Sequence, residues 1–241
     1  MTPVIPIFII VHNQYEILKR SLASFEKYID HPKQFVFHNT NSQYQPTLDF
    51  LASRKQQGDI VYNTNVNHHL TVRETIADYL SKHPECEYFI LTDPDIELQD
   101  SPGNIIDVYK YLINKYKVFC VGSWLRVDDI PESYPKRDEV YRVYKPYYTH
   151  DKKIQERFND TEFSVSVAPI DTTFQLIRAK GFKASEHFPH DKIIRVFEPY
   201  NARHLDWYVD PNNMLPGQKF CSENATVISH WNNPNWSGHK R

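Results

Sequence analysis

Two carboxylates separated by a proline form the segment of the chain that most suggests chemistry. Asp93-Pro94-Asp95 directly follows a short apolar run at residues 87–91 (EYFIL). A turn at Pro94 would let both carboxylates face one crevice, and Mg2+ and Mn2+ prefer such hard oxygen ligands together with substrate phosphates. Asp and Pro are also frequent turn formers. The segment therefore fits a divalent-cation site or an ordinary turn, and its position in the fold decides between them.

The first 95 residues alternate between apolar strands and amphipathic helices. The predicted strands are residues 4–11, 34–38, 59–62 and 87–91, and the predicted helices are residues 15–29, 47–56 and 71–81, the last opening with an apparent capping box of Thr71 and Glu74. This alternation implies a parallel sheet with helices packed on it, so the fold class is α/β.

Each of the four predicted strands ends in polar residues. The strand ends carry His12 and Asn13, Asn39 and Asn41, Asn63 and Asn65, and finally Asp93 and Asp95. Ligands of such sheets bind beyond the carboxyl ends of the strands. The agreement among four separate strand ends favours a binding site over a simple turn at Asp93-Pro94-Asp95.

The second half of the chain has weaker patterns. It predicts a helix at 103–116, a buried strand at 118–124, and further strands at 162–167, 173–178 and 225–229. Residues 126–160 are rich in Tyr, Pro and charge without clear periodicity, and residues 195–231 read as mostly loop. We expect one domain, 1–241, with a ligand-binding half at 1–100 and a more irregular half at 101–241.

Composition narrows the function classes. A formal charge of -2 on 241 residues gives no support for binding nucleic acid or an anionic membrane surface. Only six glycines occur and no GxGxxG or GxxxxGK[ST] motif, so metal and side chains are expected to hold any phosphate. Three widely spaced cysteines suggest neither a disulfide framework nor a zinc site. With no apparent signal peptide or membrane span, we expect a soluble cytoplasmic protein, and no oligomeric state is indicated.

The Asp-Pro-Asp segment resembles the DxD signature of GT-A glycosyltransferases, which occurs at the end of the corresponding strand. The opening residues PIFIIVHNQYEILKRSL resemble the first strand and helix of that family, as found in small soluble enzymes of bacteria and large DNA viruses. The resemblance implies a Rossmann-like, mostly parallel sheet and Mn2+ or Mg2+ as cofactor. It also implies that Asp95 binds the metal directly, and that Asp93 contacts the ribose or reaches the metal through water.

The same resemblance implies a donor site on the first half of the chain. His12 and Asn13 match the strand–helix junction that touches the nucleotide base, Asn39 matches a base or ribose contact, and Arg73 matches a basic residue near the donor. The implied donor is a nucleotide-diphosphate-sugar. A UDP-sugar is expected because uridine is the commonest donor base of the family.

The C-terminal half resembles the acceptor side of these enzymes at Arg203–Tyr208 and at Ser229-His230-Trp231. His230 is the implied third metal ligand. An inverting transferase needs a carboxylate base, for which Asp206 is the first candidate and Asp171 the second, whereas a retaining enzyme has no such need. Trp124 and Trp207 are candidates for contact with a glycan acceptor.

Two other functions fit parts of the sequence. A sugar nucleotidyltransferase would use a similar sheet, but such enzymes usually place a glycine-rich phosphate loop after the first strand, where this chain has His12-Asn13-Gln14. A carbohydrate-binding or degenerate transferase module would bind sugar without any dependence on metal.

Overall fold

The computed structural model describes residues 2–66, 68, 71–148, 153–168, 170, 173–185 and 193–224. Its strands are β1 (Ile5–Val11), β2 (Lys33–Thr40), β3 (Ile60–Thr64), β4 (Tyr88–Thr92), β5 (Ile96–Leu98), β6 (Cys120–Ser123), β7 (Ile154–Phe158), β8 (Thr161–Val167), β9 (Gln175–Arg178), β10 (Ile193–Val196) and β11 (Ala202–His204). Its helices are α1 (Tyr15–Tyr28), α2 (Gln45–Gln56), α3 (Thr71–Lys82), α4 (Ile105–Tyr116), α5 (Arg137–Tyr148) and α6 (Pro216–Asn224), and a short 3-10 helix spans Leu205–Tyr208.

The first four strands form the parallel sheet that the sequence predicts. They lie in the order β3-β2-β1-β4, with β1 paired in parallel to both β2 and β4. Every residue of β1 and β4 is buried, because helices cover both faces of the sheet. The predicted helices at 15–29, 47–56 and 71–81 are confirmed as α1, α2 and α3.

The alternation of side chains along β1 divides the core into two layers. Ile7 and Ile9 pack in the layer that contains α1 and α4, whereas Phe8 and Ile10 pack in the layer that contains α3. Successive strand residues point to opposite faces, so a continuous apolar run fills both layers at once. The two layers fix the strand ends relative to the helices that begin beside them.

The second half of the chain extends the same sheet to nine strands. The order continues from β4 as β9-β6-β10-β8-β7. β9 is antiparallel to both of its neighbours, and β8 is antiparallel to β10 and β7. The other strands share one direction, so the sheet is mostly parallel, and the predicted α/β fold class is confirmed.

A separate two-stranded ribbon lies outside the main sheet. β5 follows the Asp-Pro-Asp segment directly and pairs antiparallel with β11, with Ile96 opposite His204 and Leu98 opposite Ala202. The Ala202 backbone N–H donates to the Trp124 carbonyl at 2.8 Å, and the Ala202 carbonyl accepts from the Arg126 backbone N–H at 2.8 Å, so the ribbon is tied to the segment that follows β6. The ribbon therefore joins the two halves of the chain beside Asp95.

Two expectations for the second half were wrong. Residues 126–160 include the regular helix α5, whose Val140 and Tyr144 bury one face at helical spacing. Residues 195–231 were predicted to be mostly loop, yet they contain part of β10, all of β11, the 3-10 helix and α6. The predicted strand at 225–229 lies outside the described residues.

None of the helices in the described part of the chain is both long enough and apolar enough to span a membrane.

A buried histidine links β2 to α3. The His38 ring is 2% exposed, and its two nitrogens lie 2.9 Å from the hydroxyl oxygens of Thr75 and Thr71. Burial lowers the pKa of His38 to about 4, because the charged imidazolium would lose its hydration. The neutral ring is therefore the form that the fold stabilises.

This burial predicts a pH-dependent stability. The folded-state pKa lies below the unfolded value near 6.5, so the stabilisation is complete above pH 6.5 and is lost as the pH falls toward 4. Relative to His38→Gln, we expect the wild type to lose up to about 3 kcal/mol of unfolding free energy between pH 6.5 and pH 4. Urea unfolding across this range measures the difference.

His83→Gln is the matched control, because the His83 side chain is 41% exposed. We expect this variant to follow the wild-type pH profile. Parallel profiles for the wild type and His38→Gln would contradict the buried-imidazole explanation.

Candidate active site

The carboxyl ends of β1, β2 and β3 are joined by a network of side-chain hydrogen bonds. The Asn39 amide donates to Asn63 Oδ1 at 2.9 Å, and Asn39 Oδ1 accepts from the Ser42 backbone N–H at 3.1 Å. The Ser42 hydroxyl in turn accepts from the backbone N–H of Asn13 at 3.0 Å. Asn39 and Asn13, both predicted donor-binding residues, therefore lie in one rigid rim above the sheet.

His12 is held in one ring orientation at this rim. Its Nδ1 lies 2.8 Å from the Thr40 carbonyl oxygen, so Nδ1 carries the proton, and Nε2 accepts from the Asn13 amide at 3.1 Å. Burial lowers the pKa of His12, which favours this neutral form despite the hydrogen bond to Thr40. Asn13 adopts a φ of 57°, a left-handed conformation that Asn tolerates better than most residues.

Arg73, the remaining predicted donor-binding residue besides Asp93, lies in the first turn of α3 and is 9% exposed. Burial lowers the pKa of its guanidinium group. A cation this far out of water is unusual for a first-turn helix residue.

The Asp-Pro-Asp segment turns sharply off the end of β4. The Ser21 hydroxyl of α1 donates to the Pro94 carbonyl at 2.8 Å and anchors the turn to the core. Asp93 is partly exposed, whereas Asp95 is 4% exposed. The two carboxylates thus occupy different environments, with Asp95 the more deeply enclosed.

Asp206 lies against Asp95. The Leu205 backbone N–H donates to the Asp95 carbonyl at 2.7 Å, and the Asp95 and Asp206 carboxyl groups are hydrogen-bonded to each other. Gln14, beside the start of α1, donates from its amide to Asp206 Oδ2 at 3.0 Å. The structure thus brings together a predicted metal ligand and the first candidate for the base, which are distant in sequence.

Two buried carboxyl groups in contact cannot both be charged without a counterion. Burial raises the pKa of Asp95 well above its ordinary value, although hydrogen bonds to its own backbone and to Asp206 act in the opposite direction. Their contact therefore favours a proton on the pair or a positive charge beside it. Either a proton or a metal ion can satisfy this arrangement.

His204 is a site residue that the sequence analysis passed over. Its Nδ1 lies 3.1 Å from Asp95 Oδ2, and its ring stacks on Trp207 with centroids 4.8 Å apart and planes at 10°. The sequence signal was the spacing His204-Leu205-Asp206, which places imidazole and carboxylate at the same strand end. Without the β5–β11 pairing, nothing in the sequence connects His204 to Asp95.

One carboxylate fastens both ends of the segment that carries these groups. Asp129 accepts a hydrogen bond from Arg203 Nε at 2.7 Å, and it also accepts one from the Tyr208 hydroxyl. Burial acts to raise the pKa of Asp129, but these bonds hold it below the usual value. Because Arg203 and Tyr208 flank His204 and Asp206 in sequence, the clamp fixes the 3-10 helix over Asp95.

Trp124 and Trp207, the predicted acceptor-binding residues, belong to a buried aromatic cluster. Trp124 and Trp207 are 1% and 4% exposed, and Tyr144 of α5 makes edge contacts with both. Trp124 also stacks on Phe197, with centroids 5.1 Å apart. Contact of either tryptophan with an acceptor stays a prediction, and in this structure both indoles are buried among other aromatic rings.

α6 packs against the junction of β1 and α1. The Gly217 backbone N–H donates to Glu16 at 3.1 Å, and Phe220 packs on the Tyr44 ring. A Cβ atom at Gly217 would lie 2.4 Å from Glu16 Oε2 and 3.2 Å from the Asn13 carbonyl oxygen, so a larger residue would displace the Glu16 carboxylate from its hydrogen bond. The helix covers the edge of the site nearest to Gln14.

Two predicted site residues, Asp171 and His230, lie outside the described residues. Within the described ranges, no cluster of three or more His, Cys, Asp or Glu side chains has the arrangement of a metal site.

Comparison with sequences identifies distant viral relatives. No protein-family model matches the chain. Uncharacterized protein L138 of Acanthamoeba polyphaga mimivirus is 24% identical over 229 residues, which are 87% of this chain and 25% of that protein. Uncharacterized protein L137 of the same virus is 28% identical over 136 residues, or 53% of this chain and 18% of that protein. The chain thus spans a quarter or less of the length of these relatives.

Comparison with solved structures identifies glycosyltransferases. The chain matches S. aureus TarS 1-349 in complex with UDP-GlcNAc at a TM-score of 0.50 and 14% identity, over 94% of this chain and 68% of that one. It matches the mannosyltransferase PcManGT from Pyrobaculum calidifontis, solved with GDP-Man and Mn2+, at a TM-score of 0.47 and 13% identity, over 79% and 49%. The likeness to TarS shows that the chain has the fold of GT-A glycosyltransferases, as predicted.

The clamp predicts that Asp129→Asn loosens the site. Because it weakens the hydrogen bonds to Arg203 and Tyr208, we expect a loss of about 1–3 kcal/mol in unfolding free energy. We also expect faster hydrogen exchange at the amide of Leu205, which mass spectrometry can measure.

Asp128→Asn is the matched control, since the Asp128 side chain is 54% exposed and pairs with Arg126 at the surface. Its stability should stay within about 0.5 kcal/mol of the wild type. Equal effects of the two substitutions would show that Asp129 has no special role.

Proposed function

We propose that the chain is a metal-dependent glycosyltransferase that moves a sugar from a nucleotide-diphosphate-sugar to a glycan hydroxyl with inversion. A UDP-sugar is the proposed donor. The proposal assigns Asp95 and Asp93 to the metal and the donor, and Asp206 to the base. The observation that carries it is the buried contact between Asp95 and Asp206 at the carboxyl ends of the parallel strands.

The donor atoms at this place suit Mg2+ or Mn2+. Both ions prefer oxygen ligands, and Mg2+ is typically held by one or two carboxylates with substrate phosphates completing its shell. Asp95, enclosed beside a second carboxylate, supplies the concentrated negative charge that a cation would neutralise. A bound cation would stabilise the charge that develops on the diphosphate as the sugar leaves.

In this proposal, Asp206 accepts the proton of the attacking hydroxyl. In a direct displacement, the acceptor oxygen forms a bond to the anomeric carbon while the bond to the diphosphate breaks, and the electron pair leaves with the phosphate oxygen. The acceptor proton passes to the Asp206 carboxylate. Gln14 and the Asp129 clamp hold Asp206 for this transfer, while Asp95 must be ionised to serve the donor.

His204 and His230 compete for the place of third metal ligand in this proposal. His204 lies beside Asp95 and either ligates the cation or orients the carboxylate. His230 keeps the role that the family resemblance implies. Mn2+ affinity measured for His204→Gln and His230→Gln separates the two, because only loss of a ligand should weaken it strongly.

The base assignment predicts a large loss of turnover in Asp206→Asn. An amide cannot accept the proton, so we expect kcat to fall by about 10²–10⁴-fold. The affinity for UDP with Mn2+ should stay close to the wild-type value. Steady-state kinetics with a panel of UDP-sugars and simple glycosides, together with calorimetry for UDP, measure both quantities.

The matched control for the base is Asp160→Asn, whose side chain is fully exposed in the turn between β7 and β8 and should leave both values unchanged. Wild-type turnover in Asp206→Asn would transfer the role to Asp171 or indicate a retaining mechanism.

The metal assignment predicts a different defect in Asp95→Asn. We expect Mn2+ to tighten UDP binding to the wild type by about tenfold or more, and to have little effect on UDP binding to the variant. Calorimetric titration of UDP with Mn2+ or with EDTA measures this difference. A variant that retained the full Mn2+ effect would exclude Asp95 as a ligand.

A further inference from the structure

A tyrosine hydroxyl is buried beside the carboxylate pair without a hydrogen-bond partner in the described structure. Tyr134 is 4% exposed, and its phenol oxygen is enclosed. A buried hydroxyl normally finds a partner, because leaving it unpaired forfeits the hydrogen bonds that water supplied. A phenylalanine would fill nearly the same space without this penalty. The hydroxyl therefore does not contribute to the stability of the fold, and a role in binding would account for it.

Two of the three charged groups that act on Tyr134, Asp206 and Asp95, belong to the candidate site. Burial raises the pKa of the Tyr134 phenol, and the negative charges of Asp206, Glu139 and Asp95 raise it further, in that order. The phenol consequently stays protonated at physiological pH and can donate a hydrogen bond. Its strongest electrostatic neighbour is Asp206, the proposed base.

The position of Tyr134 in the fold indicates which substrate it would meet. It lies between β6 and α5, in a turn closed by a hydrogen bond from its backbone N–H to the Pro131 carbonyl at 3.1 Å. The following helix carries Tyr144, which packs on Trp124 and Trp207. Tyr134 thus comes from the second half of the chain, whereas the proposed donor residues lie at the ends of β1, β2 and β4 and at the start of α3.

We propose that the Tyr134 hydroxyl binds the acceptor, holding one of its hydroxyl groups by a hydrogen bond beside Asp206. This inference rests on the proposed transferase function and extends it by one residue that contacts substrate. The substrate then supplies the partner that the fold leaves out. Loss of the hydroxyl should weaken productive acceptor binding without loosening the protein.

Tyr134→Phe tests the inference with three readouts. In thermal unfolding without ligands, we expect a Tm equal to or above the wild-type value, because the variant removes only an unpaired buried hydroxyl. In kinetics with UDP-GlcNAc and a p-nitrophenyl glycoside that the wild type accepts, we expect kcat/KM for the glycoside to fall about tenfold or more. UDP affinity with Mn2+ should stay unchanged.

Tyr109→Phe is the matched control, since its equally buried phenol is paired with Ser123 at 2.7 Å and with the Tyr200 carbonyl at 3.2 Å. We expect this variant to lose roughly 2–4 °C in Tm, with kcat/KM near the wild-type value. We therefore expect Tyr134→Phe to impair kinetics without loss of stability, and Tyr109→Phe to lose stability without a change in kinetics.

The outcomes separate the inference from the proposed function. A wild type that neither transfers sugar nor binds UDP in a Mn2+-dependent way would overturn the proposed function, and the inference with it. An active wild type with unchanged kinetics in Tyr134→Phe, or with a Tm loss equal to that of Tyr109→Phe, would overturn the inference alone. Weakened UDP affinity in Tyr134→Phe would also overturn it, since the contact would then be with the donor.

Discussion

The antiparallel pairing of β5 with β11 is the interaction on which the candidate site depends. β5 begins directly after Asp95, and β11 ends two residues before Asp206, so their register fixes the separation of the two carboxyl groups. The ribbon is short and lies outside the main sheet. Ion pairs between charged side chains support it. Arg203 contacts Asp129 on one side and Glu97 on the other, and Glu97 also binds Arg20.

The site is costly for the stability of the fold. Excluding a carboxyl pair from water is costly unless a proton or a positive charge balances it, and Tyr134 adds a buried hydroxyl without a hydrogen-bond partner nearby. Local features that oppose stability concentrate where a protein binds or reacts. The surrounding elements hold these groups in place: Ser21 fixes the turn at Pro94, and Tyr144 of the aromatic cluster packs on Trp207 of the 3-10 helix.

The sequence predicted the parts of the fold whose patterns are local. β1 and β4 are continuous apolar runs, and α1 repeats apolar residues at helical spacing, so their types and approximate ends could be read directly. The convergence of Asn13, Asn39 and Asp93 followed from the rule that parallel strands end at one edge. Asp206 was selected as a base through family resemblance, and the geometry places it beside Asp95.

The parts that could not be predicted depend on contacts between distant residues. β11 has three residues and no alternation, so its pairing with β5 is visible only in three dimensions. α5 contains Pro146, which disfavours a helix interior, although the spacing of Val140 and Tyr144 was a usable signal. Nothing near Asp129 in sequence indicates that it fastens the segment from Arg203 to Tyr208. His204 likewise can be recognised as a site residue only from its distance to Asp95 in the structure.

A crystal structure of the chain grown with UDP and Mn2+, with the metal located by its anomalous scattering, tests the central claim most directly. The claim predicts one Mn2+ bound to an Asp95 carboxylate oxygen and to the diphosphate of UDP, with Asp206 separated from Asp95 and facing the acceptor side. A Mn2+ ion bound away from Asp95, with the Asp95–Asp206 hydrogen bond still intact, would contradict it.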